Sequence, residues 1–251
     1  MATPPHMLLA SGYFVIMVGG LAWIASMMNR GMGASRVRLT WLFLAVGSIG
    51  VAQLSSSIAD PTNMHTAAFY LAFALNIPFW MIGCGWGSAN KWGCTIVAAF
   101  CTSILLAAEW LLPLFPAQPK FAPVYHQVTH LIPPGFPQLL IVPAFLADLL
   151  LRRSEQRSSW IKAIWIGPAF VLSFFVVQWP FANFLLSPAS RNWIFGTGYF
   201  DYSVLYDPYK FQVAEKTPGA FLLTIAIACV ASILTTRFGL AWGNWMRRIC
   251  R

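Results

Sequence analysis

The chain has 251 residues, 58% of them hydrophobic and only 9% charged, a balance that leaves too little polar surface to coat a water-soluble globule of this size. Its formal net charge is +9, but the basic residues fall in short clusters between apolar runs, which excludes a nucleic-acid-binding stripe and marks them as membrane-topology signals. The expected fold class is an all-α membrane protein, one polytopic helical domain over residues 1–251.

At 1.5 Å per residue, an apolar run of roughly 18–24 residues crosses the hydrocarbon core of a bilayer. Seven such runs lie at 7–28, 39–58, 66–88, 93–115, 131–151, 160–185 and 218–240. Met1–His6 carry no Lys or Arg, so the first run lacks the positive flank of a cleavable signal peptide and is expected to stay as a span. Cytoplasmic loops hold the excess of positive charge. With the N-terminus outside and the C-terminus in the cytoplasm, the inner segments collect Arg30, Arg36, Arg38, Lys91, Arg152, Arg153, Arg157, Lys162, Arg237, Arg247, Arg248 and Arg251. The outer segments keep only Lys120, Arg191, Lys210 and Lys216.

Candidate chemistry gathers on the expected outer side. Asp60 and His65 bracket a short loop after the second span, and both could act as metal ligands there, although Asp60 before Pro61 is also an ordinary turn residue. Met64 stands beside them. Cys84, Cys94, Cys101, Cys229 and Cys250 fall in spans or at the cytoplasmic end; Cys94 and Cys101 share a helix face, where packing as small hydrophobes outweighs a soft metal site. Glu109 closes the fourth span, and a carboxylate at the edge of the apolar layer needs a proton, an Arg or a metal as partner. His126 and His130 are four residues apart, a spacing that on one helical turn points both imidazoles the same way, as two ligands of one copper or zinc ion require. Hydrogen bonding of the same histidines to headgroups or loop carbonyls is the plainer alternative.

The fifth span contains Pro133, Pro134, Pro137 and Pro143, each of which removes a backbone donor. Irregular backbone at membrane depth survives only under a cover of protein or beside a water-filled cavity, so this segment is expected to be buried among helices or subunits. At its inner end Asp148 is expected to pair with Arg152 at i,i+4. The long segment after the sixth span, from Arg191 through Tyr206, is dense in aromatic residues, as interfacial belts and partner-packing surfaces are. No phosphate-binding glycine loop or Ser-His-acid arrangement is present. The last span, 218–240, has no lysine, which excludes a retinal Schiff base.

Lys91-Trp-Gly-Cys-Thr-Ile-Val, followed one span later by Leu105-Leu-Ala-Ala-Glu-Trp, resembles the corresponding stretch of the A subunit of the copper-containing particulate methane and ammonia monooxygenases. Pro143-Ala-Phe-Leu-Ala-Asp148, Gln178-Trp-Pro-Phe-Ala-Asn, an aromatic outer loop and a final span from Pro218 to a Trp- and Arg-bearing tail follow in the same order. The resemblance covers roughly residues 66–251. It departs from the family at Asp60-Pro-Thr-Asn-Met-His65, as a divergent member would.

The resemblance implies a membrane subunit of a copper-dependent monooxygenase that oxidises ammonia, methane or another short hydrocarbon with O2. It further implies a bacterial cytoplasmic or intracytoplasmic membrane, a hetero-oligomer with other membrane subunits and a cupredoxin-like outer subunit, and copper bound largely by those partners. The family's glutamate carries over onto Glu109; His126, His130, His65 and Asp60 rest on the reading of the residues alone. Two other classes stay open. A copper-handling or assembly protein of a respiratory oxidase would use outer histidines and Met64 as transient ligands. A transporter would need inverted repeats and a midplane site, neither of which is visible.

Overall fold

The computed structural model describes residues 4–58, 64–111, 115, 136–185, 187–190, 192, 194–195 and 217–250, except for the side chains of His6, Ala10, Ser57, Glu109 and Pro188. Among these residues there are seven α-helices and no strand: α1 (Pro4–Arg30), α2 (Gly33–Ile58), α3 (Ala67–Gly87), α4 (Gly93–Leu111), α5 (Ile141–Arg153), α6 (Ser159–Leu185) and α7 (Pro218–Met246), with a 3-10 turn at Pro188–Ser190. Five of them, α1, α2, α3, α6 and α7, are long and apolar enough to cross a membrane, and α4 carries a shorter apolar stretch, Gly93–Ala108. The chain is a multi-pass, all-helical membrane protein.

Successive helices reverse direction, so the bundle has two distinct ends. Asn29, near the end of α1, donates to the carbonyls of Met246 (2.7 Å) and Ile249 (2.8 Å) at the end of α7. The ends of α3 and α5 and the starts of α4 and α6 meet there too, bringing Lys91, Arg152, Arg153, Lys162 and Arg247 to what we term the basic end. The opposite end, the histidine end, holds His65, the close of α2, α4 and α6, and the start of α7.

The tightest seam runs between α3 and α7. Gly83 and Gly87 face Gly239 and Gly243, two small-xxx-small pairs of the kind that let membrane helices approach backbone to backbone. A Cβ on Gly239 would stand 2.6 Å from the Phe79 carbonyl oxygen, and one on Gly243 3.0 Å from that of Gly83. The same seam repairs a defect inside α3. Pro78 has no N–H to offer the Ala74 carbonyl one turn earlier, and the Thr235 hydroxyl of α7 donates to that carbonyl at 2.8 Å. Both helices begin with a threonine cap: Thr66 accepts from the Phe69 N–H and Thr217 from the Ala220 N–H, each at 3.2 Å.

The expected fifth span, 131–151, is helical only from Ile141, and residues 131–135 lie outside the described ones. The thirteen residues of α5 rise about 20 Å, less than a bilayer core. Phe136–Leu140 run in without helix, and Pro137, Gln138 and Leu140 are buried, the protein cover that the proline-rich stretch called for. Pro143 does not break the helix. It falls in the first turn, where backbone N–H groups have no intrahelical acceptor to lose.

The expected Asp148–Arg152 pairing gives way to a longer-range joint. Asp148 is 3% exposed and turns its carboxylate onto the start of α4, accepting from the N–H groups of Cys94 (3.1 Å) and Thr95 (2.8 Å) and from the Thr95 hydroxyl (2.7 Å). A helix N-terminus leaves such donors without internal partners and carries partial positive charge, so a carboxylate from α5 acts there as a cap in trans. Arg152 lies over the Trp92 ring at 4.6 Å, and Trp92 stacks on Phe145 at 5.3 Å.

Candidate functional site

The histidine end contains a buried polar cluster built from four separate stretches of chain. Ser55, at the end of α2, donates its hydroxyl to the Gln138 amide oxygen at 3.0 Å. The Leu139 N–H, on the non-helical entry to α5, donates to the Gln178 side-chain oxygen at 3.0 Å, and the Gln178 amide nitrogen donates to the Met64 sulfur at 3.1 Å. The Tyr70 hydroxyl closes the circuit onto the Met64 carbonyl at 3.1 Å. Ser55, Met64, Tyr70 and Gln178 are all fully buried.

His65 adjoins this circuit. Its Nε2 lies 2.7 Å from the Asn183 side-chain oxygen, which makes Nε2 the donor, and its ring meets Trp179 edge-on at 4.9 Å. Trp179 in turn abuts Phe221 at the start of α7 (5.3 Å). A roof of aromatic rings covers the adjoining entry segment: Phe195 contacts Phe184 (4.8 Å) and Phe136 (4.9 Å), and Phe136 contacts Phe181 (5.4 Å). This part of the aromatic loop therefore packs on its own chain.

The local folding follows from the sequence. A segment that must enter the apolar layer without helix leaves peptide groups to be satisfied by side chains, and glutamine supplies an acceptor and two donors without charge. Gln178 does this for the Leu139 N–H, and Gln138, on the entry segment itself, ties that segment to Ser55 of α2. The signal available in the sequence is a glutamine inside an apolar run, Gln138 beside the prolines and Gln178 within the sixth span.

The expected site residues divide accordingly. His65 is in place and buried. Glu109 lies in the last turn of α4, with its side chain outside the description; the neighbouring Trp110 donates to the Ile194 carbonyl at 2.9 Å. Asp60, His126 and His130 lie outside the described residues, in segments that join the described chain at Met64 and at Phe136. Among the described residues no group of three or more His, Cys, Asp or Glu side chains could hold a metal ion. His65 and Met64 are adjacent, and each has a protein partner at one donor atom. The imidazole Nε2 is engaged by Asn183, and the thioether is sealed and engaged by Gln178. Cys94 and Cys101 are fully buried, Cys94 against Gly85, as packing residues.

No protein-family model matches the chain, and no curated protein or solved structure does either.

Proposed function

We propose that the chain is the membrane scaffold subunit of a copper-dependent monooxygenase complex, oxidising ammonia, methane or another short hydrocarbon with O2. In this reading the N-terminus is outside, the basic end faces the cytoplasm and the histidine end faces the compartment where a cupredoxin-like subunit would dock. Copper sits chiefly on the partner subunits, and no step of the reaction is assigned to a metal held by the described residues here.

One observation carries the reading: the short motifs that resemble the family meet one another in space. Trp92-Gly-Cys-Thr is joined to Asp148 through the α4 cap and through Arg152 and Phe145 on Trp92. Trp110, beside Glu109, is joined to the aromatic loop at Ile194. Gly93 belongs to the first motif for a steric reason, since a Cβ there would run into the Gly85 carbonyl. Joints that tie separate helices together in this way suit a scaffold.

Gentle purification from the native membrane tests the proposal. A second multi-span subunit, a cupredoxin-like subunit and copper should comigrate with this chain. A stable metal-free monomer would overturn it. Within an intact complex, Glu109→Gln and His126→Ala should each change copper content or turnover; unchanged values in both would remove these residues from the mechanism while leaving the scaffold reading in place.

A further inference from the structure

A concave site lies at the basic end, at the opposite end of the bundle from His65 and Glu109. It is a cavity of about 680 Å³, and Trp86, Asn90, Lys91, Arg152, Arg153 and Arg247 line it. The cations arrive from three separate places: the turn between α3 and α4, the end of α5 and the tail after α7. Two carboxylates also line it, Asp148 and Glu155, but the Asp148 oxygens are taken by the α4 N-terminus. Four cations thus line the cavity against two carboxylates, of which Glu155 is the one not engaged by the α4 N-terminus.

The walls hold those cations in a particular way. Arg247 lies over the Trp86 ring at 4.0 Å and donates its Nε–H to the Trp86 carbonyl at 2.6 Å. Lys162, 6% exposed, lies over the same ring at 4.5 Å, and the indole N–H of Trp86 is fixed by Asn244 at 2.8 Å. Ring stacking occupies the face of a guanidinium and leaves its in-plane N–H edges for an oxyanion. Burial pushes the Arg247 guanidinium down from its usual range, with Glu155 opposing the shift. Positive-inside bias explains why basic residues share a side of a membrane; it does not explain why they converge on one walled cavity.

We propose that this cavity binds a phosphate-type oxyanion at the membrane surface, with Arg152, Arg153, Arg247 and Lys91 as its ligands. An anionic phospholipid headgroup and a soluble phosphate compound share that chemistry. Basic pockets between helices at headgroup level take the former.

The full chain in nanodiscs tests the proposal with three probes: phosphatidylcholine alone, phosphatidylcholine with phosphatidylglycerol, and phosphatidylcholine with added inorganic phosphate. Retained lipid is counted by native mass spectrometry and the unfolding midpoint is followed by heating. Phosphatidylglycerol should be retained and should raise the midpoint. If inorganic phosphate alone does so, the site serves a soluble phosphate compound instead. Each basic residue near an anionic surface strengthens binding about fivefold, so Lys91→Gln with Arg153→Gln should weaken it about thirtyfold. Both side chains are exposed, so folding is spared. Arg36→Gln with Arg38→Gln removes the same charge from exposed positions outside the cavity and should leave binding unchanged. Equal weakening by the two pairs would reduce the effect to diffuse attraction and overturn the site, as would no response to either anion.

Discussion

The two ends of the bundle solve the same problem with different chemistry. Each must close a place where backbone polar groups would otherwise face an apolar interior. At the basic end the closing groups are ionic: the Asp148 carboxylate on the α4 N-terminus and the Lys162 and Arg247 cations on Trp86. At the histidine end they are neutral in the central circuit, two glutamines, a serine, a tyrosine and a thioether. Access to water accounts for part of the contrast: Asp148 and Lys162 are themselves buried, but exposed cations surround them. Lys91, Arg152 and Arg153 mark an open cavity at the basic end, where ions keep part of their hydration, whereas Ser55, Met64 and Gln178 have no exposure at all. A charge in that circuit would carry a full desolvation cost, and neutral amides avoid it.

Substitution at the ionic joint should have the largest effect. Asp148→Ala leaves the buried Cys94 N–H and the part-buried Thr95 N–H of α4 without their acceptor, at about 1–3 kcal/mol each, so about 2–6 kcal/mol of stability should be lost. Asp148→Asn keeps an acceptor and should lose about 1 kcal/mol. Reversible unfolding in mixed micelles with increasing dodecyl sulfate measures both. Equal stability of Asp148→Ala and the parent chain would show that the carboxylate does not cap α4, and the ionic half of the comparison would fall.

The neutral end should respond less to any one change. Gln178→Leu strands the Leu139 N–H and should cost about 1–3 kcal/mol in the same unfolding assay. It should also speed hydrogen exchange at Leu139 while sparing Thr95 at the other end. Exchange that rises equally at both positions would mean that the ends are not independent. His65→Phe keeps an aromatic edge against Trp179 and loses the Asn183 bond, so about 1 kcal/mol is expected from that bond; a loss as large as that of Gln178→Leu would make His65 part of the closing circuit.

The spans were legible because a 20-residue apolar run has few other uses. Their number was less so, since α5 fills its expected stretch only from Ile141 and hydropathy does not distinguish a helix from a covered, non-helical entry. The need for that cover was legible from the prolines; the glutamines that provide it were not singled out, because a neutral amide has many uses. Asp148 was read locally, four residues from Arg152, and helix geometry does make that pair possible. Its actual partners lie 53 and 54 residues away, and sequence spacing carries no signal for a cap supplied from another helix. The glycine seam could have been found, since Gly83 with Gly87 and Gly239 with Gly243 each repeat at four residues, but which helix faces which is a tertiary fact.

Midway between the ends, the α3–α7 seam offers the smallest effect and the sharpest test of neutral repair. Thr235→Val removes the hydroxyl that serves the Ala74 carbonyl, and interhelical hydrogen bonds in membranes average about 0.6 kcal/mol, so a loss of that order is expected. The reason for the bond is Pro78, whose ring displaces the N–H that Ala74 would otherwise receive. In a Pro78→Ala chain the residue 78 N–H can take that carbonyl itself. Thr235→Val should then cost almost nothing, and a double-mutant cycle should return the whole of the single-variant loss as coupling. Coupling near zero would mean that Thr235 stabilises the seam by filling space, and that hydrogen-bond repair with uncharged groups is confined to the histidine end.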